Sequence, residues 1–378
     1  MPSITFYPLG NADCYRIDLA AGQKLLFDYA NTRCADQPDD KRADLPVELR
    51  KDLKNAKRNH YDVVAFTHLD EDHVCGAAEF FYLEHASKYQ GPDRVTITEM
   101  WVPAHAITES NGDLCGDAKI IQAEARHRLK AGRGIRVFSR PEALKAWLES
   151  NGLTLESRRT LITDAGGLVP NWTTAEHGVE FFVHSPFAER HNDGTFVDRN
   201  SCSLVFQATF VVEGKETKAL LMADTVCESM EEIVRITKFH NNEHRLEWDI
   251  AKLPHHCSYR SLASEKGEEK TTPVDDVAWV YEQQGRKGCR IISTSDCIPS
   301  DDRDQPPHRQ AANYYRDLMR ETHSGQFLVT MEEPTKSKPA PLVIKIDWLG
   351  ASLVRASASV AARVTSSPAP RAGSATLR

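Results

Sequence analysis

The nine cysteines are widely scattered, from Cys14 to Cys297, and no two form a CxxC pair. That excludes a structural zinc ribbon. An odd number at such spacings also excludes a disulfide framework, as expected for a chain in a reducing cytoplasm. No apolar run approaches the roughly eighteen residues of a membrane-spanning helix, so no membrane insertion is expected. The start, MPSITFYPLGNADCYRIDL, has no basic stretch followed by an apolar one, so no signal peptide is expected. Excess positive charge is missing as well. There are 47 Lys and Arg against 54 Asp and Glu, a net −7, which argues against a protein that coats nucleic acid.

What remains is a soluble composition. The 378 residues are 40% hydrophobic and 27% charged, which excludes a mostly disordered chain. Apolar and alternating runs predict strands at 3–8, 14–19, 24–28, 61–67, 95–101 and 134–138. Further strands are expected at 179–183, 202–212, 218–223, 249–253, 289–293, 326–330 and 341–348. Helices are expected at 46–56, 74–88, 116–131, 141–150, 227–240, 275–284 and 308–321. Strands interleave with helices in both halves, with hairpins among them. That pattern predicts an α+β fold of two mixed sheets packed together, with helices on the outer faces. One domain over 1–350 is expected, with inserts near 31–59 and 102–130 shaping the pocket mouth. The remainder, 351–378, holds four Arg and no acid among Ala, Ser and Pro, and reads as a disordered basic tail.

The chemistry concentrates at strand ends. Thr67-His68-Leu69-Asp70-Glu71-Asp72-His73 follows an apolar strand and precedes a helix. His68 and Asp70 point the same way if the loop is extended, because strand side chains repeat every two residues. Asp72 and His73 can face a second point nearby. Imidazole with carboxylate is a ligand mixture suited to Zn, Mn or Fe. Other strand-end candidates are Asp224 after Ala219–Ala223, His184 after VEFFV, His255 and His256 in LPHHCS, and His308 in PPHRQ. Adjacent histidines point in different directions, so one of His255 and His256 can ligate while the other orients substrate or protonates a leaving group.

As an ordered set these segments resemble the metallo-β-lactamase fold. The loop 67–73 is similar to its HxHxDH motif, and the Asp at position 70 resembles the HxDxDH branch of ComEC-like DNA-uptake proteins. Leu9–Asp13, Leu25–Asp28, Asn200–Val205, Leu221–Asp224, Trp248–Ser258 and Pro307–His308 resemble further segments of that branch, in order, across residues 4–348. The resemblance implies a four-layer αββα sandwich. It also implies His68, Asp70, Asp72, His73, Asp224 and His255 as metal ligands, with His256 and His184 as further candidates, and Asp224 bridging two ions. Asp72, His256 and His308 are the implied catalytic residues. Asp13, Asp28, Asn200, Ser203 and Ser258 match residues that hold the site loops. Ala223 and Cys257 stand where the branch has glycine.

The expected cofactors are two divalent ions, Zn or Mn, with Mg also suited to the hard oxygen of Asp70. The expected activity is that of a metal-dependent hydrolase using a metal-bridging hydroxide. A phosphodiesterase, most plainly a nuclease acting on DNA or RNA, fits best. The alternatives are hydrolysis of a carboxylic ester, lactone or thioester on the same centre, or a catalytically inactive regulatory protein of this fold. Lys252, Arg260, Lys266, Lys270, Arg309, Arg316 and Arg320 would supply a phosphate-binding rim.

Overall fold

Alternation along the strands sets the layers. In β3 (Lys24–Phe27) the side chains of Leu25 and Phe27 enter one hydrophobic core, while Leu26 between them enters another. β4 (His60–Ala65) repeats the pattern, with Val63 and Ala65 on one side and Val64 on the other. A sheet whose two faces are both apolar must be covered on both. The structure, a computed structural model, describes residues 1–110, 112, 114–187 and 199–354, and shows what covers each face.

The first sheet has nine strands. Their spatial order is β15 (Gly350–Val354), β14 (Leu342–Asp347), β1 (Ser3–Phe6), β2 (Tyr15–Asp18), β3, β4, β5 (Thr96–Pro103), β6 (Ile135–Phe138) and β7 (Ile162–Thr163). The second has six: β13 (Gln326–Val329), β12 (Gly285–Ser293), β11 (Trp248–Lys252), β10 (Lys215–Met222), β9 (Val205–Val212) and β8 (Val179–Ser185). Each sheet is part antiparallel and part parallel. In particular β3 runs parallel to β4, and β10 parallel to β11.

The core between the sheets is aromatic. The Phe27 ring meets Trp101 of its own sheet and Phe206 of the other edge-on, each at 6.2 Å between centroids. Outside the first sheet, the helix Leu45–Asn55 buries Leu45, Leu49 and Leu53, a stripe at every fourth residue. Asp44 caps that helix by accepting the Val47 N–H. The helix Gly116–Ala131 covers the same face with Ile121, Ala125 and Leu129. Outside the second sheet lie the helices Cys227–Phe239, Asp275–Gln283 and Arg309–Leu318. The layers are therefore helix, sheet, sheet, helix. This is the αββα sandwich.

Two expectations are corrected here. The helix foreseen over 74–88 is two single turns, Glu71–Val74 and Ala77–Phe80. Gly76 breaks them with φ +79°, where a Cβ would also press within 3.1 Å of Asn31. The first residues of the tail foreseen from residue 351 are ordered instead. Residues 350–354 form the edge strand β15, turned back from β14 by Trp348 and Leu349, with Ala351 and Leu353 resting on the inter-sheet core. Residues 355–378 lie outside those described.

Candidate metal centre

Four strand ends and one loop meet at one rim of the sandwich. β3 ends in Asp28, held in the left-handed region at φ 56°. Its carboxylate accepts the Thr67 N–H and the Thr67 hydroxyl, each at 2.7 Å. It also takes His73 Nδ1–H at 2.8 Å. That anchors the loop after β4 and aims His73 Nε2 inward. The loop between β1 and β2 brings Asp13, whose N–H donates to the Asp72 carbonyl at 3.0 Å. Asp13 pairs with Lys252 of β11, both side chains being wholly inaccessible to solvent. From the second sheet, β10 delivers Asp224 and β11 runs into His255–Cys257.

The ligand-type atoms of Asp72, His73, Asp224 and His256 all lie within 4.8 Å of one another. Asp224 stands in the middle. It lies 3.4 Å from His73 Nε2 through one oxygen, and 3.8 Å from His256 Nε2 and 3.9 Å from His68 Nε2 through the other. His256 donates Nδ1–H to the Thr294 carbonyl at 2.7 Å, which turns Nε2 to Asp72 at 3.0 Å. His68 Nε2 lies 3.5 Å from Asp70. His68 Nε2, His73 Nε2 and Asp224 Oδ1 are buried with no hydrogen-bond partner. Buried polar atoms are nearly always satisfied, so His73 Nε2 and Asp224 Oδ1, 3.4 Å apart within the cluster, fit a cation there, while His68 Nε2 lies beside it against the other Asp224 oxygen.

The electrostatics agree. Burial alone would raise the Asp224 carboxyl, but the imidazoles of His73, His256 and His68 hold it well below the usual carboxylate range. Conversely, burial would lower His256, but Asp224 and Asp72 push it up to about 9. Their negative field, which draws protons onto the imidazoles, would equally draw a divalent ion.

His256, rather than His255, joins the cluster. His255, His256 and Cys257 all have left-handed backbones, with φ of 48°, 51° and 65°, and this tight turn swings the two rings apart to 6.4 Å. His255 is half-buried at the edge of the cluster, its Nδ1 without a partner. Cys257 holds a conformation natural to glycine while its thiol side packs into the outer core. Ala223 is not among the residues with positive φ, so its methyl brings no such strain.

His184 does not reach the centre. Phe181 and Val183 point into the inter-sheet core, so alternation sends His184 to the opposite face, where Nε2–H donates to the Arg245 carbonyl at 2.9 Å. Burial pushes its pKa from an ordinary 6.5 down to about 4. The unfolded chain therefore binds the proton first. Stability due to neutral His184 is complete above about pH 6.5 and is lost as pH falls toward 4, by roughly 3 kcal/mol. Urea unfolding across that window should show the acid loss flattened in His184→Gln, with metal content unchanged. An unaltered pH profile would refute this placement.

His308 also differs from its expected role. Nδ1 accepts the Tyr259 N–H and Nε2–H donates to the Asp304 carbonyl, each at 3.3 Å. One nitrogen thus holds the loop after the histidine pair and the other the segment leading to His308 itself. Ser258 accepts the Arg260 N–H, and Ser203 donates to the Asn200 carbonyl, so both of these brace backbone. The segment 200–204 carries Leu204, whose N–H donates to the Thr67 carbonyl and whose carbonyl accepts the Ala223 N–H, stitching the two sheets beside the centre.

Four residues of the expected basic rim are engaged elsewhere. Lys252 is the buried partner of Asp13. Arg309 pairs with Glu269, Lys270 with Asp317, and Arg320 with Asp317 and Glu321. Two residues of the site escaped notice in the sequence, Arg199 and Glu109. Arg199 donates to Asp70 and to Glu109, each at 2.6 Å.

No family model and no curated protein matches the sequence. Among solved structures it is similar to unliganded yeast PDE1, at 10% identity over 87% of this chain and 98% of that one, TM-score 0.42. It is also similar to a diphosphatase of the PhnP family, at 10% identity over 77% and 85%, TM-score 0.29. A third likeness is to Tm1679, a metal-dependent hydrolase of the β-lactamase superfamily, at 9% identity over 87% and 96%, TM-score 0.37. At these values the likenesses add nothing to what strand order and side-chain geometry show.

Proposed function

We propose that this chain is a metal-dependent hydrolase of phosphodiesters. The observation that carries the reading is the convergence of Asp72, His73, Asp224 and His256 with unsatisfied atoms facing inward. These four would hold a divalent ion; Zn and Mn suit a set of two carboxylates and two imidazoles, and Mg, which favours oxygen ligands, suits it less. Such an ion, when bound, polarises a phosphoryl oxygen and makes a water nucleophilic near neutral pH.

The chain's own residues do the rest. Asp28 and the Thr294 carbonyl fix the two ligand imidazoles, so no reorientation is needed at the moment of reaction. Asp72 is the most exposed of the four ligands, its side chain 35% accessible, and it faces the approach of substrate and water. His255 stands at the edge of the cluster with an unpartnered nitrogen. Burial lowers its pKa, so it is neutral near pH 7 and able to take a proton from water or pass one to the leaving oxygen. Arg309, Lys270 and Arg320 are ion-paired at the surface, while the positive charges of Lys266 and Arg260 are felt at His308 and can favour an anionic substrate.

The test uses protein stripped by chelation and reloaded with Zn, Mn or Mg. The panel is an aryl phosphodiester, cyclic dinucleotides, single- and double-stranded DNA, RNA, an aryl ester and a lactone. Metal-dependent turnover of diesters, lost in Asp72→Ala, is expected. Turnover of the esters alone moves the substrate class. No turnover with any metal, or identical behaviour of Asp72→Ala, refutes the reading.

A further inference from the structure

We infer that the centre is built to hold one divalent ion tightly, and that the guanidinium of Arg199 stands in for the positive charge of a second. The inference rests on the metal-hydrolase reading and concerns how this chain completes the site.

Counting donors leads to it. One position has four ligands, Asp72, His73, Asp224 and His256, mutually within 4.8 Å. A second ion beside it would have to use His68, Asp70 and the other oxygen of Asp224. Of the other candidates, His184 is on the far face of its sheet, bonded to the Arg245 carbonyl, and His255, its ring 6.4 Å from that of His256, belongs to neither ligand-type group among the described residues. Asp70 belongs to neither of the ligand-type groups found among the described residues. One of its oxygens already faces Arg199 at 2.6 Å, and only the other faces His68, at 3.5 Å. The second position is therefore short of ligands, and a cation already occupies part of the one carboxylate it most needs.

Arg199 is held in place rather than swinging freely. Nη1 meets Asp70 while Nε meets Glu109 at 2.6 Å. Glu109 in turn is fixed beside the helix Gly116–Ala131, since its carbonyl accepts from Gln122 and Arg126 of that helix. The insert over 102–130 thus reaches the centre through one carboxylate and one guanidinium. A guanidinium is always charged and presents donors in a planar fork matched to phosphate oxygens. Placed at Asp70, it provides the charge that a second metal would, without needing a full coordination shell. A divalent ion added at Asp70 would meet a like charge on the same carboxylate, which raises the free energy of filling that position.

The experiment is equilibrium dialysis against Zn2+ and, separately, Mn2+, with metal counted by mass spectrometry and the Mn form examined by electron paramagnetic resonance. About one tight ion per chain is expected, with the hyperfine pattern of an isolated Mn2+. Asp70→Asn should keep it, Asp72→Asn should lose it, and Arg199→Ala should rise toward two. Arg199→Lys should stay near one, which separates charge from mere packing. Circular dichroism confirms that each variant is folded, and Asp70→Asn supplies an answer even if Arg199→Ala is not. Two ions of similar affinity in the unaltered protein, exchange-coupled as Mn and reduced to one by Asp70→Asn, would overturn the inference while leaving the hydrolase reading standing. A count of one that Arg199→Ala leaves unchanged would overturn the role given to Arg199. No ion at all would remove both.

Discussion

Asp224→Asn is expected to empty the metal centre and to cut diester turnover by at least about 10³-fold. Asp224 faces three imidazoles, His73, His68 and His256. The amide has nearly the same shape, so the β10 end and its neighbours need not move, but the negative charge that gathers the cation is gone. Metal content after dialysis and steady-state turnover read the two effects separately. The fold should survive, because the inter-sheet core does not depend on this carboxylate. Metal retained at the level of the unaltered protein would show that the ion sits elsewhere.

Lys252→Met is expected to destabilise the fold by about 3–5 kcal/mol, among the largest effects available from one side chain. Both partners of the Lys252–Asp13 pair are inaccessible to solvent. Removing the ammonium leaves a charged carboxylate buried beside Asp72 and His73, and the penalty is that of the orphan rather than the worth of the pair. Two controls sharpen it. Adding Asp13→Asn to Lys252→Met should recover a large part of the loss, since no charge is then stranded. Arg320→Ala, whose guanidinium pairs with Asp317 and Glu321 at the surface, should leave the unfolding midpoint nearly unchanged, because exposed ion pairs are screened by water. Urea denaturation reads all three. A loss below about 1 kcal/mol for Lys252→Met would mean that water enters the pair.

The sandwich was legible because its strands carry both faces in their alternation. Leu25, Leu26 and Phe27 are enough to require cover on either side. Of the loop 68–73, dense in imidazole and carboxylate, Asp72 and His73 stand in the four-residue cluster, while Asp70 faces Arg199. The histidine pair was not legible. Which ring turns inward depends on three successive left-handed residues, and neither His nor Cys announces that conformation. His184 could have been placed, since VEFFV alternates and its Phe181 and Val183 claim the inner face. Lys252 was misassigned because a lysine near a candidate phosphate site invites a surface reading, while its partner Asp13 lies 239 positions away. Arg199 gave no local sign at all, as its contact with Asp70 spans 129 positions. Residues 351–354 were read as tail because Ala and Ser obscured a short edge strand in which Leu353 is the apolar anchor.

The four proposed ligands are divided evenly between the sheets. Asp72 and His73 hang from the first, Asp224 and His256 from the second. An ion gripped by all four would act as a clasp across the open lip of the sandwich. At a hundredfold excess over its dissociation constant it would add about 2.7 kcal/mol to the cohesion of the whole domain. Catalytic cofactor and structural fastener would then be the same atom, and cellular metal supply would govern how long the protein lasts as well as how fast it works.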